Sequence, residues 1–208
     1  MRWWCDAFGF PFVFVDSLDV CVSLFPITNV QFERFAAEPN EYGDAWYEEV
    51  LRVSARQSWR RTNDESLEGL MMTGITAAEA LAYSVWAGPE YDLPTVHEWR
   101  NIFRWMKGAS VTVAQLSSLR DRRIHPAAMT ILDSAARGGT PLMMAELSLM
   151  TGGVIEWVRD GHLFKGLGRP RARLLGNTFN VLRDDPIVPH GSRSRYVGFR
   201  PIRRTTMI

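Results

Sequence analysis

Few groups in this chain could do chemistry, and they are far apart. Cys5 and Cys21 both lie near the N-terminus within apolar segments, and no cysteine follows them. A thiolate pair would be a soft donor set for copper or zinc, or a redox nucleophile. With no C-x-x-C spacing and no histidine beside either, the reading is two buried thiols acting as small hydrophobes. The alternatives are a disulfide joining two N-terminal strands, which needs an oxidising compartment, and a metal site. His97, His125, His162 and His190 are scattered and form no H-x-x-x-H-x-E grouping. Only a two-histidine, one-carboxylate centre assembled in space would make them iron ligands. Glu156 has the acid–base chemistry of a carboxylate but no second acid or nucleophile nearby in sequence. Ser192 and Ser194 beside His190 lack the G-x-S-x-G elbow that a hydrolase would need.

Recognition chemistry is better represented. From residue 159 onward the chain carries Arg159, Lys165, Arg169, Arg171, Arg173, Arg183, Arg193, Arg195, Arg200, Arg203 and Arg204, opposed only by Asp160, Asp184 and Asp185. Arginine among aromatic and histidine side chains on irregular backbone is the composition of a binding surface. The loops at 159–172 and 180–196 are therefore the expected site, with Arg159, His162, Lys165, Arg169, Asn180, Arg183, His190, Arg193, Arg195 and Tyr196 as binding residues. A basic face partly paired with the acidic stretch at 38–68 is the competing reading, in which several arginines are structural, Arg200 beside Phe199 above all. A further competing surface is the 108–140 region with Arg120, Arg122 and Arg123.

Those side chains need a frame, and the chain has material for one. Of its 208 residues, 46% are hydrophobic and 23% charged, ordinary proportions for a globular protein that buries a core. A net charge of +1 indicates neither a nucleic-acid nor a membrane partner. No apolar run approaches membrane-spanning length, and the N-terminus, interrupted by Asp6, Asp16 and Asp19, reads as strand and not as a signal peptide. A cytoplasmic location is expected. Residues 8–15 and 19–25 are two β-rich runs. Four capping boxes then mark helix starts: Thr28 with Gln31, Thr76 with Glu79, Thr95 with Glu98 and Thr112 with Gln115. Apolar spacing behind them is helical, as in Trp99, Ile102, Phe103 and Met106. Residues 45–59 add a helix with Trp46, Val50 and Val53 on one face, and Pro126 opens another that stops at Gly138-Gly139. After residue 140, glycine and proline punctuate short β-prone runs near 154–158, 173–182 and 195–203. Helices first and strands last predict a single α+β domain over 1–208.

Five segments in one order carry a resemblance: Phe25-Pro26-Ile27-Thr28-Asn29-Val30-Gln31-Phe32, Asp92-Leu93-Pro94-Thr95-Val96-His97-Glu98-Trp99, Thr151-Gly152-Gly153-Val154-Ile155-Glu156-Trp157-Val158, Leu174-Leu175-Gly176-Asn177-Thr178-Phe179 and Val197-Gly198-Phe199-Arg200. The series resembles the formylglycine-generating enzyme, or sulfatase-modifying factor, family, whose pattern runs PVTN…F, RLPTEAEWE, GNVWEWV, RGGSW and GFR. The resemblance implies a single-domain C-type-lectin-like fold. The stretch 108–140 departs from the family pattern and is expected to be a helical insertion. The family's active members carry a copper-binding cysteine pair after the RGGSW-like motif, where this chain has none. They also hold structural calcium, partly through the Asn of GNVWEWV. Gly153 replaces that Asn, and Leu149 stands where an Asp is common. The resemblance without its thiols implies a pseudoenzyme, with no cofactor or metal: a non-catalytic recognition or accessory domain. It would bind a protein or small-molecule ligand through its C-terminal loops, or serve as a subunit of a larger assembly. The alternative is an oxidoreductase or auxiliary biosynthetic enzyme of the wider group, using a metal site not visible in the sequence.

Overall fold

The computed structural model describes residues 2–38, 42–54, 67–120, 123–136, 142–170, 178–188 and 191–205. The chain opens with β1 (Trp3–Cys5), β2 (Pro11–Val15) and β3 (Val20–Ser23), followed by α1 (Asn29–Ala37), α2 (Gly43–Val53) and α3 (Ala77–Ala87). Next come β4 (Tyr91–Asp92), α4 (Val96–Gly108), β5 (Ser110–Val111), α5 (Val113–Arg120), α6 (Pro126–Ala136), β6 (Leu142–Met143) and α7 (Met144–Leu147). The final third holds β7 (Ile155–Asp160), β8 (Leu163–Leu167), β9 (Val197–Phe199) and β10 (Ile202–Arg204). The architecture is α+β.

All four capping boxes form. The hydroxyls of Thr28, Thr76 and Thr95 each accept the amide three residues on, and the Gln or Glu there reaches back to the cap amide. Thr112 and Gln115 do the same at the start of α5. Each box satisfies two otherwise unpaired amides at a helix start. This is why the helix beginnings were readable while the short strands β4, β5 and β6 were not.

A five-stranded antiparallel sheet in the order β1-β2-β3-β10-β4 joins the two ends of the chain, with Ile202 opposite Val22 and Arg204 opposite Val20. A second sheet has the order β8-β7-β9, in which β9 runs parallel to β7 and sets Glu156 opposite Gly198. A Cβ on Gly198 would lie 2.4 Å from the carbonyl oxygen of Met72, so only glycine permits this approach. Between the sheets, α4 presents Trp99, Ile102, Phe103 and Met106 to the main core, and α5 and α6 add Leu116, Ala128, Ile131 and Leu132 to it. A second core, rich in rings, forms where α1, α2 and α3 meet β7 and β9, around Phe32, Phe35, Tyr83 and Phe199.

Trp3–Cys5, in the N-terminal stretch read as strand, is the edge strand β1. Gly166 and Leu167 close β8. Residues 178–183 form turns where a β-prone run was expected, and 171–177, including Leu174 to Asn177, lie outside the described residues. Two helices occupy the 108–140 stretch, and they pack into the main core. Among the described residues no helix is long and apolar enough to cross a membrane.

Candidate functional site

Glu156, the one acid of the third family-like segment, is fully buried on β7 and already saturated. Arg200 Nη2 donates to its Oε1 at 2.8 Å, Arg200 Nε lies 3.1–3.2 Å from both oxygens, and Trp99 Nε1 donates to Oε2 at 2.7 Å. The guanidinium donates further to the carbonyls of Ser23, Leu24 and Ser148. A buried ion pair is tolerable only when its remaining donors and acceptors are satisfied, as they are here. A tryptophan and an arginine thus hold Glu156. With neither side chain exposed to solvent, this centre is a clamp and not an acid–base device.

The calcium site implied by the resemblance does not fit these residues. A Cβ on Gly153 would fall 2.1 Å from the carbonyl oxygen of Leu149, so Asn could not stand there without a backbone shift. Leu149 itself takes a left-handed conformation with φ of 59°, and Glu156 is committed to Arg200. Six or more oxygen donors are needed to hold calcium. Among the described residues no three His, Cys, Asp or Glu side chains converge on a metal-sized space.

The thiols are likewise apart. Cys5 is half-buried on β1 and Cys21 is buried on β3, with β2 between them; no disulfide joins them. Two inter-strand spacings amount to about 10 Å, beyond the Cα separation that a disulfide spans. Burial pushes the Cys21 thiol above its ordinary value, the nearby Arg203 and Arg2 opposing this, so it is a poor nucleophile at neutral pH.

The residues expected to recognise a ligand fall into three groups. Arg193 is a correction. Its side chain is only 12% exposed and makes a two-pronged contact with Glu79, at 2.6 Å on each prong, while also donating to the carbonyl of Gly74. Trp46 Nε1 donates to the same carboxylate. Burial raises the Glu79 carboxyl, but the bonds from Arg193, the Thr76 amide and Trp46 outweigh it and leave the group below its ordinary value. Arg193 therefore pins the C-terminal loop to α3. Its longer contact with Glu49 is at 3.5 Å. Other described basic residues pair with Asp92, Glu90, Glu98, Asp160 and Asp185, while much of the acidic 38–68 stretch, the partner in the competing reading, lies outside the described residues.

A second group lies away from the rest. Arg169 forms an isolated bridge with Thr151, and its carbonyl accepts from Gly152. Arg195 is exposed, its guanidinium 5.6 Å from the centre of the Tyr196 ring. His190 lies outside the described residues.

The third group gathers. Arg159 on β7, Lys165 on β8, His162 in the exposed turn between them, and the 180–184 turn all border the outer face of α4. That turn is held by Asn180, whose amide donates to Asp184 at 2.6 Å and whose Oδ1 accepts from Leu182; Arg183 is exposed on it. Arg159 is anchored by Asp92 at 2.7 Å, and Lys165 by Asp160 at 2.7 Å. Between hairpin and helix is an open cleft of about 480 Å³, lined by His97, Arg100, Arg104, Arg159, Asp160 and Leu182, among others. Arg100 pairs with Asp185 at 2.5 Å. Arg104 donates to Asn101 at 2.8 Å and has no acidic partner among the described residues.

Arg100 and Arg104 were missed from sequence. The signal was present: 97, 100, 101 and 104 recur at i, i+3, i+4 and i+7, a polar stripe opposite the Trp99–Met106 apolar stripe. They lie in the helical part of the chain, far from the arginine-rich tail. Chemically, the cleft offers planar guanidinium donors suited to carboxylate or phosphate.

No curated protein matches this chain. The family profile of the sulfatase-modifying factor enzyme 1-like domain matches residues 15–121. The match takes in Phe25–Phe32 and the Asp92–Trp99 segment that opens α4, and it ends before the Glu156 segment. The chain belongs to the sulfatase-modifying factor enzyme 1-like family.

Proposed function

We propose that this family member is a non-catalytic recognition or accessory domain of C-type-lectin-like fold, binding an acidic protein segment or a small polyanion in the cleft between α4 and the β7–β8 hairpin. The observation that carries the reading is Arg104. It stands on a rigid helix in an open cleft, beside Arg100 and Arg159, with no carboxylate among the described residues to neutralise it. A guanidinium held this way gains a charge-assisted bond when an anion arrives and loses none. Formylglycine chemistry would have to run through Cys5 and Cys21, which sit two strands apart with Cys21 buried. The pinned Arg193 leaves the binding set, and Arg100 and Arg104 join Arg159, His162, Lys165, Asn180 and Arg183.

Calorimetric titration with a synthetic hexaglutamate peptide tests this. Binding is expected at low salt, weakened at least tenfold by Arg104→Glu and progressively by added salt. Equal affinity of the variant, or aldehyde formation in a cysteine-containing sulfatase-type peptide, would contradict the proposal.

A further inference from the structure

Away from the basic cleft, between the N-terminal loop and α3, lies a second cavity of about 300 Å³ with a different chemistry. Its walls are rings: Phe8 and Phe12 from the N-terminal sheet and its loop, Tyr83 and Trp86 from α3, and Tyr91 from β4. The rings brace one another, with Phe12 and Tyr91 centred 6.0 Å apart and Tyr83 and Trp86 5.4 Å apart. One anionic group, Asp6, belongs to the lining. The amides of Phe8 and Phe10 fix it by donating to Oδ1 at 2.9 and 2.8 Å. Its charge reaches both phenols: burial first, and then Asp6, pushes the Tyr91 hydroxyl up to about 12 and the Tyr83 hydroxyl higher still. Neither hydroxyl has a hydrogen-bond partner among the described residues.

Arg34, the cation that acts on Asp6, does not close the site. Arg34 lies with its guanidinium 4.1 Å from the Phe8 ring centre and forms no ion pair with Asp6 among the described residues. Burial consequently dominates at Asp6 and holds its carboxyl above the ordinary value, against the amide bonds and the Arg34 charge. A half-buried carboxylate in aromatic surroundings is an arrangement that an arriving cation improves. Ring faces attract the same charge.

We propose that this cavity binds a small primary ammonium with an apolar or aromatic body, its N–H groups donating to Asp6 and the phenol oxygens and its body lying against Phe8, Phe12 and Trp86. A fixed carboxylate and uncommitted phenol oxygens are acceptors, so the ligand must bring donors. The flat walls select a flat or slender body.

The probe pair is 2-phenylethylamine, protonated at neutral pH, and 2-phenylethanol, its uncharged counterpart of the same shape. Titration followed by NMR of the tryptophan indole protons should show the amine binding at least tenfold more tightly than the alcohol. Asp6→Asn retains the Oδ1 acceptor for the loop amides; it should lower amine affinity at least tenfold and leave the alcohol unchanged. Trp86→Leu should weaken both probes, and Arg104→Glu neither. Equal affinities for amine and alcohol, an Asp6→Asn variant that binds the amine as well as the parent, or no binding of the amine by the folded parent would each overturn the proposal. Should Asp6→Asn fail to fold, the amine-to-alcohol ratio on the parent and the Trp86→Leu response still decide it.

Discussion

Glu156 and Arg200, 44 positions apart, meet at 2.8 Å with neither side chain exposed, and Trp99 closes the contact from α4. Three family-like segments thus converge on one carboxylate, which explains how a loop-rich chain keeps a fixed frame. Removing one partner strands a buried charge. Glu156→Ala or Arg200→Ala alone should cost about 3–5 kcal/mol. A double replacement by apolar side chains should cost less than the two single changes added together. Urea denaturation of the four proteins reads this directly, and single variants within 1 kcal/mol (about a fivefold change in the folding constant) of the parent would remove the clamp from the account.

Trp99 and Trp157 each fill core space and each hold a polar partner, Trp157 through its Nε1 bond to the Ile75 carbonyl at 3.0 Å. Truncation to Ala should cost about 3–5 kcal/mol, from the cavity and the stranded acceptor together. Unchanged melting of either variant would place that ring on the surface.

Acid should unfold the protein in part through Glu79 and Glu98. Burial raises both carboxyls, but Arg193, Thr76 and Trp46 for the first, and Arg204 and Thr95 for the second, bring each below its ordinary 4.5. In the unfolded chain both take up protons near that value, while the folded chain holds off until lower pH. Unfolded protein therefore binds more protons in that window, and stability falls as pH falls. The contribution is complete above 4.5 and is lost as pH drops through the folded values. Melting temperature measured against pH should decline more shallowly below 4.5 in Glu79→Gln than in the parent, from a lower plateau. Parallel curves would exclude Glu79 as a source of the acid sensitivity.

Restoring the family's Asn at position 153 should not restore a calcium site. The new Cβ would meet Leu149 O at 2.1 Å, an overlap that should cost about 1–3 kcal/mol. Differential scanning calorimetry of Gly153→Asn, with and without calcium, should show a lower transition that calcium does not raise. A calcium-dependent increase would show that the loop can reshape around the ion.

How much of this was legible depends on the range of the interactions. Capping boxes such as Thr95 with Glu98 span three residues, so sequence showed them directly, and the α4 apolar stripe followed. The aromatic and glycine choices at Trp99, Trp157 and Gly198 were readable through the family pattern. The Arg193–Glu79 contact joins positions 114 apart, and nothing local distinguishes that arginine from exposed Arg195. The cleft was half visible: its hairpin side lay in the arginine-rich tail, while Arg100 and Arg104 were hidden within a helix read only for its buried face. Cys5 and Cys21 illustrate the same limit. Sequence favoured two free thiols and left a disulfide open; the intervening strand β2, which closes that alternative, is a long-range feature that the sequence did not show.

The α4–hairpin cleft is proposed as the place where this domain meets an acidic partner. Chemical-shift mapping of the ¹⁵N-labelled protein, titrated with hexaglutamate, tests it most directly. Shifts should concentrate at His97, Arg100, Asn101 and Arg104, at Arg159 to Lys165 and in the 180–184 turn, and should vanish in Arg104→Glu while that variant keeps the parent's dispersed spectrum. Shifts confined to 108–136 or to the Arg195–Tyr196 loop, or a pattern that Arg104→Glu leaves intact, would contradict the account.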